Sequence, residues 1–529
     1  MSIERREIRR TSESAQRHGQ TDSLKNAEKL YESVLKDDPN NTDALHSLAI
    51  IAYQRGKQKI AADLLGRAIA NNPREPNFYN SLGLVCAACG KHDEALRAFH
   101  MAVSIKSDYT DAYYNLGCAL KNQGHLSEAA QSFMRALELK SDFVEAWYNL
   151  GNVQQVLTQL DAAIESYHHA LEIDPDFAKA YNNLGYALKA QGNINPAITC
   201  YKEAIAHEPD FAEAHWNLAL AYLISGNFTE GFKRYEWRFR KTDWKCTYPF
   251  RYNIPRWDGS TYRGKTLFVH YEQGLGDTLQ FIRYLPDVKA RGGSVIFETG
   301  KPLIGLLKAL PCIDKIIEPS SDGTLCEECD IYIPLLSLPE IFGTQIETIP
   351  AHIPYLYADP EKVKYWQGRL SEGHFKVGIV WAGKPSHRND HNRSCAVDHF
   401  IPLAQTPGVR LYGLQKGEAA AQAARFSQNV LYNVGEECED FSDTAGVIEN
   451  LDLIISVDTA VAHLSGAMGK RVWTLLPFAP DWRWLLIRED SPWYPTMRLF
   501  RQQIGGEWAE VFHRVAKALR VLVHTSSSP

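Results

Sequence analysis

The sequence predicts an α-solenoid of two-helix repeats followed by two parallel α/β lobes, and three observations predict it. One residue register recurs at a step of thirty-four through the first half of the chain. Apolar, β-rich runs alternate with helical patterns through the second half, the signature of parallel sheets. Where the second half opens, Thr266 to Leu285 reads as buried strand, glycine turn and helix, the first crossover of a nucleotide-binding layer.

In the first half, Leu48, Leu82, Leu116, Leu150, Leu184 and Leu218 are evenly spaced, each followed by Gly or Ala. Gly56, Gly90, Gly124, Gly192 and Gly226 keep the same step, with Thr158 in the remaining place. Ala61, Ala95, Ala129, Ala163 and Ala197 form a third register, and Leu65, Phe99, Phe133, Tyr167, Tyr201 and Tyr235 a fourth. The Leu-Gly pair lets helices approach, the central Gly turns the chain and the Ala packs against the first helix. These are tetratricopeptide repeats. Six units span residues 42–245, after a tail and an incomplete repeat in 1–41. One unit cannot bury its apolar face alone, so the units stack and their first helices line a groove. Asn115, Asn149, Asn183 and Asn217 share a register there. Amides of this kind either hold an extended peptide acceptor by its backbone or bond neighbouring helices. The last unit drifts toward Phe232, Tyr235, Trp237, Arg238 and Trp244, as expected of a repeat covered by the next domain, and a linker follows at 246–263.

The first lobe is expected over 264–358, an interlobe helix over 359–374, the second lobe over 375–522 and a disordered tail over 523–529. Gly274 and Gly276 let backbone approach a ligand at the first turn. No Gly-Lys-Ser/Thr follows, so this is not a P-loop, and Asp277 stands where a dinucleotide fingerprint would continue. Asp277 either caps the helix or holds a carboxylate at the end of a central strand. Three loops of the second lobe point chemistry toward the cleft. Gly383 to Ser394 gathers Lys384, His387, Arg388 and Arg393, which suits a phosphorylated ligand; Gln415 and Lys416 follow Leu414; Asp458, Thr459, Ala460 and His463 open a helix kept slim by small residues. Two lobes around a cleft have the outline called GT-B in glycosyltransferases. A periplasmic binding protein shares that outline but would be exported and would not carry repeats.

The combination GLGDTLQF, VGIVWAGKPSHRNDHNRS, LYGLQKGE, SVDTAVAHLSGAMGK and LLPFAPDWRW resembles bacterial tetratricopeptide-repeat proteins with a C-terminal heptosyltransferase-like (family 9) glycosyltransferase domain. In layout it is similar to O-linked N-acetylglucosamine transferases and to flagellin glycosyltransferases, whose repeats dock the protein acceptor. The resemblance implies Asp277 as general base and Asp458, Thr459, Ala460 and His463 as the donor-binding segment. Lys384, Arg393 or Lys416 would fill the phosphate-binding role. The chain departs from lipopolysaccharide heptosyltransferases by carrying repeats and by lacking a clear match to their phosphate-binding Lys segment. The expected protein is an inverting, metal-independent transferase moving a sugar from a nucleotide-sugar donor to a protein, with no further cofactor. The rival expectations are a repeat scaffold with a degenerate transferase domain, and a transferase acting on glycan or lipid.

A net charge of −6 gives no reason to expect nucleic acid or a membrane surface as partner. No run approaches a transmembrane span, and the polar start, Arg-rich but carrying Glu4 and Glu7, is neither a secretory signal nor a transit peptide, so cytosol is the expectation. Cys326 and Cys329 have metal-like spacing without a second pair, which argues against zinc. The Asp-x-Asp at Asp174 and Asp176 falls in a repeat turn rather than a catalytic loop.

Overall fold

The computed structural model describes residues 21–241, 252–320, 328–370, 372–387 and 389–526. Trp244, Cys246, Cys326, Arg388 and the ends of both expected tails lie outside these residues. Six helix pairs run from Thr42–Gln54 and Gln58–Asn71 to Ala212–Ile224 and Phe228–Tyr235, after a helix at Thr21–Asp37. Where Gly follows the repeated Leu, close packing explains it. A Cβ on Gly83, Gly117 or Gly151 would lie 2.4, 2.7 and 2.6 Å from the rings of Phe99, Phe133 and Tyr167. The mid-unit glycines turn in the left-handed region, from φ 70° at Gly56 to 87° at Gly226. Thr158 takes the same turn at φ 60°, a conformation that crowds a β-branched side chain.

The chain divides into two compact bodies, residues 1–191 with 206–208, and residues 192–205 with 209–529. The division falls within the fifth helix pair rather than at 246–263. The last pair belongs with the lobes because its aromatics pack there: Phe228, Phe232 and Tyr235 surround Trp482, and Phe228 stacks on Trp493 at 5.9 Å. The described part of the expected linker is also docked. Tyr332 donates its backbone N–H to the Pro255 carbonyl and Trp257 returns the bond to the Tyr332 carbonyl, so this segment lies along a strand of the first lobe.

The first lobe holds β1 (Thr266–His270), β2 (Ser294–Glu298), β3 (Lys315–Ile317) and β4 (Ile331–Pro334), all parallel, in the order β3-β2-β1-β4. The second holds β5 (Phe375–Val380), β6 (Val409–Gly413), β7 (Leu431–Asn433), β8 (Leu453–Val457), β9 (Val472–Leu476) and β10 (Met497–Arg501), also parallel, ordered β10-β9-β8-β5-β6-β7. Read within each sheet, these are the orders 3-2-1-4 and 3-2-1-4-5-6 of doubly wound nucleotide-binding layers. β7 and β10 are additions to the strands read from sequence.

One helix is placed more closely than the sequence allowed, and one expectation is corrected. The Pro360–Gln367 helix, expected between lobes, packs on the Phe441–Glu449 helix of the second lobe. There Trp366 Nε1 donates to Asp443 Oδ1 (3.3 Å) and Lys362 pairs with the same carboxylate (2.8 Å). Residues 523–526, expected in a disordered tail, continue the Trp508–Ser526 helix, whose Val515, Leu519 and Val523 enter the core of the second lobe.

Replacing Thr158 by Gly should stabilise the fourth repeat by about 1 kcal/mol, the cost of holding a β-branched residue left-handed. Slower amide hydrogen exchange across residues 144–173 would report it. Unchanged exchange would mean that the bond from Thr158 Oγ1 to the Leu157 carbonyl (2.6 Å) offsets the strain.

Candidate functional site

In an open parallel sheet, ligands bind outside the carboxyl ends of strands where the strand order reverses. That point lies between β1 and β4 in the first sheet and between β5 and β8 in the second. The Gly274–Asp277 turn follows β1, the Lys384–Arg393 loop follows β5, and Asp458–Thr459 follow β8. The Leu275–Phe281 and Ala460–Ala467 helices that leave these ends meet closely. A Cβ on Gly276 would stand 3.0 Å from His463 Cδ2 and 3.5 Å from Ala460 Cα, so a side chain there would press on the His463 ring.

The cap reading of Asp277 has a structural counterpart, and its second oxygen is paired with a cation. Its Oδ2 accepts from the Gly274 N–H (2.8 Å), closing a cap at the helix start. Its Oδ1 is bound by Arg483 Nη2 from the second lobe. Arg483 is buried and also donates to Gln280 Oε1 and to Asp481 Oδ1 (2.8 Å), with its guanidinium 4.6 Å from the Trp482 ring centre. Burial works against its charge, and Asp481 and Asp277 outweigh that cost, so the arginine is held firmly cationic.

At the second lobe, Arg393 joins two of the expected loops. It pairs with Asp390 (3.2 Å) and donates from Nη1 to the Asp458 carbonyl (3.1 Å). Gly383 makes room for it, since a Cβ there would lie 2.4 Å from Arg393 Nη2. Burial opposes the charge of Asp458, but His463 and Arg393 win and hold its carboxyl at about 2. His463 Nε2 faces Asp458 Oδ1 at 3.7 Å and its Nδ1 meets the Tyr494 hydroxyl at 3.0 Å, so the buried imidazole has a partner on each nitrogen. Thr459 is the N-cap residue of the Ala460–Ala467 helix, and its hydroxyl meets Ser456 Oγ at 2.9 Å. Lys384, in the same loop as Arg393, is exposed.

The second expected loop is structural. Gln415 is buried; its Oε1 accepts from the backbone N–H groups of Trp381 (3.1 Å) and Ala382 (2.9 Å), and its Nε2 donates to the carbonyls of Ala382 and Lys416. Lys416 Nζ donates to the Cys438 carbonyl. Gln415 fastens the end of β6 to the end of β5, and Lys416, exposed, reaches the segment after β7.

The asparagine register is also bonded within the protein. Asn115 Nδ2 donates to Asn80 Oδ1 (2.9 Å), and Asn149 and Asn183 donate to the hydroxyls of Tyr114 and Tyr148 (3.2 Å each). His46 and Ser81 make the equivalent bond one step earlier (2.8 Å). Each side chain reaches thirty-five residues back, to the preceding unit. This is an inter-repeat ladder, the helix-bonding alternative of the two weighed from sequence. Asn217 is likewise engaged.

Sequence reasoning assigned no role to Arg283, Arg483, Tyr494 or Glu272. Arg283 is buried and donates to the Trp493 carbonyl (2.7 Å), the Tyr355 hydroxyl (2.9 Å) and the Gln280 carbonyl (2.8 Å), with Tyr494 4.7 Å from its guanidinium. It thereby links the first turn to the residue that holds His463. Glu272, in the turn after β1, receives Arg238 of the last repeat in a two-pronged bond (3.0 Å each). Burial raises the Glu272 carboxyl against the pull of Arg238. Isolated arginines among aromatics are the only sequence trace of these pairings.

The family models that match this chain match it in the repeats. The family described as TPR repeat matches residues 83–124, 159–192 and 185–226, and Tetratricopeptide repeat matches 110–143. The chain carries tetratricopeptide repeats. Residues 20–102 also match the family described as Anaphase-promoting complex, cyclosome, subunit 3. Protein FlbA of Caulobacter vibrioides is 28% identical, over 55% of this chain and 52% of that protein, so the chain spans about half the length of this curated relative. Among solved structures, YrrB, titled a TPR protein with an unusual peptide-binding site, is 22% identical (35% of this chain, 95% of that one, TM-score 0.32). MamA is 25% identical (31% and 97%, TM-score 0.30). Among the described residues, no helix is long and apolar enough to cross a membrane.

Two variants test the pairings. Arg238→Ala should cost about 3–5 kcal/mol by stranding buried Glu272, with Arg238→Met/Glu272→Leu recovering part of it in chemical denaturation. Asn149→Ala should lower the melting of the array by about 1–2 kcal/mol, since its amide also bonds the Glu145 carbonyl (2.9 Å) and Lys121 (2.7 Å). An unshifted melt would return that residue to the groove.

Proposed function

We propose that the chain is an inverting, metal-independent glycosyltransferase of GT-B architecture. It moves a sugar from a nucleotide-sugar donor to a hydroxyl of a protein held by the repeats, flagellin or another surface protein being an acceptor of the expected class. One observation carries this reading: the strand-order reversals of two parallel sheets are brought together, with Gly276 against Ala460 and His463. Such paired sites suit a donor on one lobe and an acceptor on the other.

The acceptor oxygen attacks the anomeric carbon from the face opposite the leaving group. The bond from that carbon to the phosphate oxygen breaks, and its electron pair leaves with the nucleotide. The N–H groups at the Thr459–Ala460 helix start, with Arg393 and Lys384, are suited to stabilise the charge that develops there. Those cations supply what a metal ion supplies in other transferases. The acceptor proton needs a carboxylate. Asp277 is the candidate implied by the resemblance, but its oxygens already receive Arg483 and the Gly274 N–H. It would take the proton on a remaining lone pair, or after the guanidinium moves to the leaving phosphate.

The same internal bonding favours a second reading, a repeat-based scaffold whose transferase domain is degenerate. Asp277, His463, Gln415 and Lys416 all have partners within the protein. Calorimetry of the full chain with UDP-, GDP- and ADP-sugars separates the two. A saturable heat with one of them, undiminished by EDTA and abolished in Thr459→Glu, is expected because a carboxylate at the helix start repels the phosphate. No heat with any donor would select the scaffold.

A further inference from the structure

Arg483 is drawn to Asp277 although neither residue needs the other. Asp277 caps its helix through Oδ2 and the Gly274 N–H (2.8 Å). Arg483 has a counter-charge two residues away, Asp481 Oδ1 at 2.8 Å, and donates from Nε to Gln280 Oε1. A buried ion pair adds little stability over apolar packing. Stability therefore does not account for a contact made between lobes, across 206 residues of chain.

The loop that delivers the guanidinium is fixed on both sides of it. Trp482 lies among Phe228, Phe232 and Tyr235 of the last repeat and has the guanidinium 4.6 Å from its ring centre. Trp484 stacks on His463 at 5.3 Å. Arg501 of β10 donates to the carbonyls of Trp484, Leu485 and Arg488. Leu485 stands in the left-handed region at φ 55°, where a leucine is seldom found, so the turn is held against a local cost. Asp277 stays open nonetheless: its side chain is 18% exposed against 8% for Arg483.

We propose that Arg483 is a positioning residue for the transfer, fixing one orientation of the Asp277 carboxylate so that a free lone pair meets the acceptor hydroxyl. This rests on the transferase reading, with Asp277 as its base. A carboxylate oxygen accepts more than one hydrogen bond. With the Gly274 N–H on Oδ2 and Arg483 on Oδ1, the carboxylate is kept from turning, and each oxygen retains a lone pair. The acceptor O–H proton passes to that lone pair. The freed oxygen pair forms the bond to the anomeric carbon, and the bond to the phosphate oxygen breaks with its pair on the nucleotide. Arg483 touches none of the reacting atoms. Burial opposes its charge, but Asp481 and Asp277 outweigh that, so it stays cationic throughout. Through Trp482 the last repeat becomes part of what aims the base.

The test uses the full chain with UDP-, GDP- and ADP-sugars and reads nucleotide release, with water in place of the acceptor. Arg483→Ala should lower kcat by about tenfold to a hundredfold, the scale of a misplaced reacting group, with donor KM and donor-binding heat unchanged. Millimolar guanidinium should restore part of that kcat. Asp277→Asn should be about a hundredfold slower than wild type. Adding Arg483→Ala to it should cost nothing more, and guanidinium should not help the double variant. Arg483→Lys keeps the charge but not the planar fork, so it should melt nearer wild type than Arg483→Ala and still turn over slowly. Should Arg483→Ala melt below the assay temperature, Arg483→Lys with and without Asp277→Asn makes the same comparison. Losses that multiply in the double variant, a raised donor KM at unchanged kcat, or wild-type rate in Arg483→Lys each overturn the role of Arg483 while leaving the transferase reading intact. A wild type that releases nucleotide from none of the donors refutes that reading and the role with it.

Discussion

The buried ion pair between Arg238 and Glu272 is the constraint on which the seating of the last repeat on the first lobe rests. Arg238 is fully buried, with Nε and Nη2 on Glu272, Nη1 on the Tyr235 carbonyl and Glu236, and Nη2 also on Ser337 Oγ. Glu272 returns the constraint by accepting the Leu336 N–H (3.1 Å) at the end of β4. A pair this deep gains little net stability over apolar packing, because desolvation consumes most of the attraction. Its consequence is specificity: neither partner tolerates the other's absence, so the last repeat and the turn after β1 have one relative position. That turn carries Gly274 to Asp277. The terminal repeat is in this sense part of the lobe it covers.

From there the order propagates through cations rather than through apolar contact alone. Arg483 grips Asp277 and Gln280, while Arg283 grips the Gln280 carbonyl and the Trp493 carbonyl. Tyr494 lies against Arg283 and meets His463, which in turn faces Asp458. Each guanidinium offers five donors in a rigid plane, which suits it to fix several loops at once. The first-lobe turn and the donor-side helix start are thus spaced by a continuous polar chain inside aromatic packing.

How much of this was legible in the sequence follows from how far each signal reaches along the chain. The repeats were legible because their packing is local: Gly83 and Phe99 are sixteen residues apart, and the same pair recurs at Gly117 and Phe133. The strands of both sheets were legible where they are apolar and central. β7, three residues long, and β10, with two arginines, were not. The turn at Asp277 was legible as a turn, but its partner lies 206 residues away. No periodicity encodes such a distance. The asparagine register was visible, whereas its direction was not, since spacing places a side chain on a helix without saying which neighbour it reaches. The expected linker failed for a related reason: Pro255 and Trp257 look like turn residues, yet they bond Tyr332.

The two carboxylates of the first lobe show how environment divides chemical roles among like groups. Asp277 has two donors and a fixed geometry, which makes it a counter-charge and a cap. Glu298 has neither a cation nor a donor on Oε1, and burial penalises its ionised form. A group of the first kind is stable as it stands and keeps one orientation. One of the second kind carries a desolvation cost that no partner on Oε1 offsets. The folded protein tolerates that cost because Arg238, Arg283 and Arg483 fix the surrounding turns independently of Glu298. Two carboxylates of one lobe thus stand in opposite environments, one paired with a cation and one penalised by burial.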